Sequence, residues 1–288
     1  EEGKDARASV ETQWWKQFGD PVLEEMIETA AKDNKDALIA AARIEEYMGR
    51  YVAVRGEMFP QASAGAAAAR QRATQENITG WQKGLSPEYS TYQATLNAGW
   101  EIDLWGKLRR ATEAARADLL GKEESRRAVQ LTLAATVAGS YIDLRNLDRQ
   151  LEIARQTLET RRASLDLFNL RFSGGVVSEL ELSQVKSEYE SARAVIPQIE
   201  KSIFQGENAL NVLLGRNPGP VNRGKPIDEL SMPEIPAGLP SDILERRPDI
   251  RQAEQDLMAA NARIGVARAA YFPSISLTGL FGSVDRKS

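Results

Sequence analysis

Residues 89–103 alternate in character without a break. Tyr92, Ala94, Leu96, Ala98, Trp100 and Ile102 fall in one set, and Thr91, Gln93, Thr95, Asn97, Gly99, Glu101 and Asp103 in the other. A period of two means a strand with one apolar and one polar face. Strands in soluble domains average about five or six residues, and this run is more than twice as long. Length and alternation together match a barrel strand in an outer membrane, apolar toward lipid and polar toward the lumen. On that reading Tyr92, Leu96, Trp100 and Ile102 face lipid, and Thr91, Gln93, Thr95, Asn97 and Glu101 line the lumen. Trp81, Tyr89, Tyr92, Trp100 and Trp105 fall near the ends, where aromatic girdles sit. The alternative is a soluble hairpin whose polar face is simply solvated.

Beyond the strand the chain reads as helical. Residues 104–172 hold no proline and are rich in Ala, Leu, Arg and Glu, all good helix formers. Leu147, Leu151, Ala154, Leu158, Leu165, Phe168 and Phe172 form an apolar seam. A second seam runs through Leu182, Val185, Tyr189, Ala192, Ile196, Ile199, Ile203, Gly206, Leu210 and Leu213. Its alternating spacings of three and four are those of a coiled-coil stripe. Ser173-Gly174-Gly175 separates the seams and reverses the chain, so the expectation is a long antiparallel hairpin. At 1.5 Å per residue its arms span roughly 100 Å (104–172) and roughly 58 Å (176–214), and a helix over 34–59 adds roughly 39 Å. A rod of about 100 Å is the simplest arrangement. Pro197 is expected to interrupt the returning arm.

The chain also repeats itself. An offset of 213 residues pairs Asp36 with Asp249, Ala40 with Ala253, Arg50 with Arg263, Arg55 with Arg268, Phe59-Pro60 with Phe272-Pro273 and Ser63 with Ser276. Both copies read as a helix ending at Phe-Pro and leading into a strand; in the second, Ser274, Ser276 and Thr278 alternate with Ile275, Leu277 and Phe281. Between the copies lie Pro218, Pro220, Pro226, Pro233, Pro236, Pro240 and Pro248, which exclude a helix interior. The expected organisation is an N-terminal segment over 1–33 and a first repeat over 34–215. That repeat holds a helix capped by Asn34, strands near 61–72 and 89–103, and the hairpin 104–214 with its tip at 172–178. A proline-rich connector over 216–247 comes next, then the start of a second repeat over 248–288. The second repeat reads as truncated.

Composition removes most chemistry. The chain has no cysteine and no histidine, which excludes disulfides, thiolate nucleophiles, the commonest metal ligand and the serine–histidine triad. Carboxylates are scattered, with no acid–base pair and no phosphate-binding loop, so no catalytic residue, cofactor or metal site is assigned. Lys plus Arg number 37 against 41 Asp plus Glu, a net charge of −4, which argues against nucleic-acid binding. No apolar run is long enough for a membrane-spanning helix, and the charged start, Glu1-Glu2-Gly3-Lys4-Asp5, is no signal peptide. Asn77-Ile78-Thr79 matches a glycosylation sequon, a pattern too common to carry weight.

The ordered motifs carry a family likeness. Trp14-Trp15-Lys16-Gln17-Phe18-Gly19-Asp20-Pro21, Trp100-Glu101-Ile102-Asp103-Leu104-Trp105-Gly106, Asn208-Ala209-Leu210 through Leu214-Gly215, and Glu245-Arg246-Arg247-Pro248-Asp249-Ile250 with the helix to Tyr271-Phe272-Pro273 stand in sequence. Through these the chain, from Trp14 to about Gly282, resembles the outer-membrane efflux proteins: TolC-like channels of three-part export pumps, in their OprM/NodT-type lipoprotein branch. The resemblance implies a mainly α fold with a few β-strands, in which a long periplasmic helical hairpin joins transmembrane barrel strands. It implies a homotrimer sharing one twelve-stranded barrel in the outer membrane of a Gram-negative bacterium, its helical part in the periplasm. The implied partners are a periplasmic adaptor protein, an inner-membrane transporter and outer-membrane lipid. A signal peptide and an acylated cysteine are implied upstream of residue 1. The fourth strand and the second hairpin, with much of the family's gate, fall beyond Ser288. Without them the barrel cannot close, and the strands of this stretch are expected to be disordered or aberrantly paired.

Carried onto this sequence, the resemblance makes the hairpin tip an adaptor-docking surface: Arg171, Phe172, Ser173, Gly174, Gly175, Val176, Val177, Ser178, Leu180 and Glu181. The plain reading of the same residues is a turn, with Gly174-Gly175 reversing the chain and Ser178 and Glu181 forming a capping box. Both hold together. Asp103 is expected to pair with Arg109 or Arg110, and Arg246-Arg247 with Glu245 or Asp249. The expected function is a passive outer-membrane duct that exports drugs or metal ions and performs no catalysis. A structural coiled-coil rod is the rival; it accounts for 104–215 but leaves the alternating strand unexplained.

Overall fold

The structure is a computed structural model that describes residues 13–72, 88–232 and 246–287. Trp81, the sequon at 77–79, Pro233, Pro236, Pro240 and Glu245 lie outside the described residues. A short 3-10 turn, Trp14–Phe18, leads into helices α1 (Pro21–Asp33) and α2 (Lys35–Gly56). Strands β1 (Gln61–Arg72) and β2 (Glu88–Ile102) come next, then α3 (Lys107–Ser173) and α4 (Glu179–Leu213). A second 3-10 turn, Ile227–Glu229, precedes α5 (Pro248–Ala269) and β3 (Ile275–Lys287). Helices α2 and α5 are each 22 residues long, and their bounds are offset by 213 residues at both ends.

Two compact units divide the chain, Glu1–Ala42 with Ser125–Pro248 and Arg43–Glu124 with Asp249–Ser288. The first is helical, and its core joins Leu23, Met26, Ile27 and Ala30 of α1 to Leu133, Val137, Tyr141 and Leu144 of α3 and Leu210 and Leu214 near the end of α4. Periodicity does not single out α1 as a separate element, although Asp20-Pro21 announces it. Asp20 Oδ1 accepts from Val22 N at 2.9 Å, and proline at the first helical position loses no needed donor. Asn34 caps α2, its Oδ1 accepting from Asp36 N at 2.8 Å and Ala37 N at 3.1 Å.

The hairpin obeys its seams. Leu147, Leu151, Ala154, Leu158, Leu165 and Phe168 of α3 are half-buried, and the α4 stripe from Leu182 to Leu213 is half-buried or buried at every position. Arg155 pairs with Glu200 at 2.9 Å and Arg161 with Glu188 at 2.6 Å. Partner numbers that fall on one arm as they rise on the other mark an antiparallel pair. The expected interruption at Pro197 is absent, because α4 runs unbroken from Glu179 to Leu213. Proline removes one internal hydrogen bond, and the seam on either side holds the helix together.

In the second unit the strands form one antiparallel sheet in the order β1-β2-β3. This corrects the expectation of disordered or aberrantly paired strands. Gln61 faces Gly99 and Arg72 faces Glu88, while Ile102 faces Ile275 and Ser90 faces Lys287. Strand β2 is satisfied on both sides without barrel closure. Beside the sheet, α5 lies antiparallel to the first turns of α3, with Arg263 on Asp118 at 2.5 Å and Arg251 on Glu124 at 3.3 Å. Ala259, Ala262 and Ala269 are buried there.

Candidate functional site

The hairpin tip is built by two helix ends. Helix α3 stops in a Schellman motif, with Val176 N donating to Arg171 O and Gly175 N to Phe172 O, both at 2.9 Å. Gly175 occupies the left-handed position at φ 73°, where a side chain would be strained. Helix α4 starts in the capping box that the sequence announces. Glu181 N donates to Ser178 Oγ at 3.3 Å, and Ser178 N and Oγ each donate to Glu181 Oε2 at 2.8 Å. The Ser178 backbone N–H, and after it the Ser178 hydroxyl, holds the Glu181 carboxyl below the usual carboxylate range.

Capping both ends leaves the side chains between them free. Val176 and Leu180 are about 70% exposed, and Phe172 and Leu170 are exposed beside them. Leu170 is absent from the sequence reading of the tip; its place just outside the apolar seam is the only signal for it. Arg171 lies 5.8 Å over the Phe168 ring and Ser173 Oγ donates to Leu170 O. Gly174 and Val177 complete the turn. The tip is a doubly capped reversal presenting the exposed apolar side chains Leu170, Phe172, Val176 and Leu180.

The sheet also exposes apolar side chains. On β2 the apolar residues Tyr92, Ala94, Leu96, Ala98 and Trp100 are all exposed, whereas Thr91, Thr95, Asn97 and Glu101 of the polar set are half-buried; Gln93 is exposed, and Ile102 is half-buried at the strand end. The register extends the apolar face across the sheet, with Ala68, Ala66, Ala64 and Ala62 opposite Tyr92, Ala94, Leu96 and Ala98. On the other side Phe281 stands opposite Leu96, Leu277 opposite Trp100 and Ile275 opposite Ile102. Leu280 and Val284 break the pattern by sharing the polar face, opposite Asn97 and Gln93. Trp100 Nε1 donates to Met58 O at 3.0 Å, which ties the indole to the entry of β1. Tyr89 OH donates to Gln71 Oε1 at 3.0 Å.

At the end of β2 the acids are locally paired. Glu101 meets Lys107 Nζ at 3.2 Å. Asp103 accepts from Leu108 N, Arg109 N and Arg109 Nε at 2.9–3.3 Å. Burial pushes the Asp103 carboxyl up, but these hydrogen bonds from Arg109 and Leu108 hold it below its ordinary value. Of the two arginines offered by the sequence, Arg109 takes Asp103, and Arg110 pairs with Glu113 at 2.6 Å.

The sequence reading missed a knot in the first unit. Asp20 is fully buried and accepts from Tyr141 OH at 2.7 Å and Lys225 N at 3.0 Å. Tyr141 OH in turn accepts from Gly224 N at 2.9 Å. A side chain at Gly224 would overlap the Asp20 carboxylate. Burial first, and the hydrogen bond to Asp20 second, push the Tyr141 phenol up to about 12. Arg223 joins Asp148 and Glu207, both at 2.8 Å. These contacts fasten the connector to the helices. Among the described residues no cluster of acidic side chains could hold a metal ion, and no helix is long and apolar enough to cross a membrane.

Known proteins give this arrangement a family. The chain is 39% identical over 281 residues to the probable efflux pump outer membrane protein TtgC of Pseudomonas putida, covering 96% of this chain and 57% of the relative. It is 35% identical over 269 residues to the probable outer membrane lipoprotein SilC of Salmonella typhimurium, covering 93% and 57%. The chain thus spans little more than half the length of these relatives. Among solved structures it superposes on CusC with a TM-score of 0.83 at 34% identity, covering 94% of this chain and 62% of that one. On the open-state MtrE outer membrane channel of Neisseria gonorrhoeae the TM-score is 0.76 at 29% identity, covering 92% and 63%. The fold is that of the TolC-like channels. The profile of the outer membrane efflux proteins matches residues 26–216 and 239–287, and the chain belongs to that family.

Proposed function

We propose that this chain is part of a passive outer-membrane duct, the exit component of a tripartite efflux pump that exports small molecules such as drugs or metal ions. The observation that carries the reading is the sheet's exposed apolar face, with the polar side chains of its central strand β2 the more enclosed. Such a sheet is stable with lipid on one side and an aqueous lumen on the other. Thr91, Gln93, Thr95, Asn97 and Glu101 then line the lumen, and Tyr92, Leu96, Trp100 and Ile102 meet lipid. Open strand edges are costly in hydrocarbon, so one closed barrel requires three copies of the whole protein, each adding a fourth strand to β1–β3. The named relatives, an efflux pump protein and a lipoprotein of the outer membrane, support the same assignment.

The duct does no chemistry of its own, and energy enters through an inner-membrane transporter. The periplasmic adaptor docks at the tip, where Val176, Leu180 and Phe172 offer apolar contact. Gly174, Gly175 and Ser173 admit a close backbone, while Arg171, Val177, Ser178 and Glu181 hold the turn in shape. The test is conductance of the protein, expressed from its full gene and inserted in planar bilayers, with drug and metal susceptibility of a strain lacking the gene. Ohmic channels together with increased susceptibility are expected. A protein that fractionates as soluble and gives no conductance would establish the coiled-coil rod instead.

A further inference from the structure

We propose that a cleft at the base of the sheet binds the phosphate of a phospholipid headgroup, with Arg268 as its principal cation. The proposal rests on the reading that the sheet lies in the membrane. The cleft has a volume of about 540 Å³ and is walled by Trp105, Phe272, Arg109, Arg110, Arg268 and Gly265. It lies where β2 ends and β3 begins, beside the register pair Ile102 and Ile275.

Two features of the cleft point to a lipid. The first is charge. Arg109 is matched by Asp103 and Arg110 by Glu113, whereas Arg268 makes no ion pair and its guanidinium no hydrogen bond among the described residues. A guanidinium carries five N–H donors in a fork suited to phosphate oxygens. The pairs of Arg109 and Arg110 leave several of theirs unspent, so three arginines converge with one excess positive charge. Gly265 makes room for this, because Arg110 Cγ passes 2.9 Å from where a side chain at that position would begin.

The second feature is the aromatic lip. Trp105 stacks on Phe272 with ring centroids 4.6 Å apart and planes 17° from parallel, and Trp105 Nε1 donates to Pro273 O at 3.0 Å. The pair stays about half exposed, and Leu104 and Tyr271 beside it are exposed as well. Exposed aromatics next to arginines are the arrangement that meets headgroup level, with ring bodies among acyl chains and cations at phosphates. A free phosphate ion would make no use of the aromatic lip; a phospholipid uses both parts.

The test uses the protein expressed from its full gene and extracted in mild detergent. Retained lipid is measured by native mass spectrometry after addition of dioleoyl phosphatidylglycerol or dioleoylglycerol, which share acyl chains and differ in the phosphate headgroup. Preferential retention of phosphatidylglycerol is expected. It should weaken by about tenfold in Arg268→Gln, the loss of one charge-assisted contact, and be largely restored in Arg268→Lys. Equal retention by the parent and Arg268→Gln, or equal uptake of dioleoylglycerol, overturns the proposal. So does displacement of the lipid by inorganic phosphate at equal concentration, which would make the cleft a free-anion site. A spin label on Leu96→Cys reports the underlying reading separately. A lipid-buried label with unchanged retention defeats the cleft alone; a water-exposed label defeats both.

Discussion

The helical unit and the sheet treat the same residue types in opposite ways. Around α1, the side chains of Leu23, Leu144 and Leu210 are fully buried, and Asp20 is buried among them with its oxygens satisfied. In the sheet, Leu96, Leu277 and Phe281 are 52–80% exposed, while Thr91, Thr95 and Asn97 of β2 are the more enclosed. The first pattern is that of a domain stabilised by burying apolar surface from water. The second has no such driving force in water and is stable only where a second apolar phase covers it. One chain is therefore adapted to two solvents, and each pattern can be broken separately.

The largest effect is expected from a charge on the sheet's apolar face. Phe281→Arg or Leu96→Arg places a guanidinium on the face assigned to lipid, directly across one register pair. Near a bilayer midplane this costs about 2–4 kcal/mol. Urea titration of the protein refolded into vesicles should show that loss, and the folded fraction in membranes should drop. Asn97→Arg, one residue along on the other face, should leave stability nearly unchanged and alter ion selectivity. Equal losses on both faces would contradict the two-solvent assignment.

Next comes the buried knot of the helical unit. Asp20→Ala leaves the Tyr141 hydroxyl and the Lys225 N–H without their acceptor, a loss of about 3 kcal/mol. Tyr141→Phe removes one donor to Asp20 and the acceptor for Gly224 N, and should cost about 1–2 kcal/mol. Denaturation monitored by helical circular dichroism reads both. The same knot sets an alkaline limit. Because the folded phenol is raised from 10 to about 12, its contribution is complete below pH 10 and fades as pH climbs toward 12. The loss amounts to roughly 2–3 kcal/mol and should vanish in Tyr141→Phe.

These two regions also differ in how far the sequence reveals them. Strand β2 is legible because alternation is local: every second residue from Tyr92 to Ile102 announces its face. The α4 seam is legible for the same reason, at spacings of three and four. The knot is not. Asp20-Pro21 signals a helix start, but nothing local says that Asp20 must also reach Tyr141 and Lys225, 121 and 205 positions away. The cleft at Arg268 stays hidden likewise, since Trp105 and Phe272 meet only after the sheet brings the end of β2 and the start of β3 together. Pro197 misleads in the other direction, because a local rule about one hydrogen bond yields to a seam running the length of the helix.

The smallest predicted effect is at the tip, where stability and recognition separate. Glu181→Ala removes half of the capping box and should loosen the start of α4, visible as faster amide exchange confined to residues near 178–182. The Glu181 carboxyl is held below its ordinary range by Ser178. Its contribution is therefore present above the ordinary carboxylate pKa and is lost as pH falls through the lowered one. The exchange difference from Glu181→Ala should disappear in acid. Val176→Ser and Leu180→Ser touch no part of that cap, and both side chains are already exposed. They should leave amide exchange unchanged while weakening capture of the protein by a periplasmic adaptor. If the serine variants bind as well as the parent and Glu181→Ala does not, the tip acts through its shape rather than its apolar cap. Docking would then read the backbone at Gly174-Gly175, held rigid by the box.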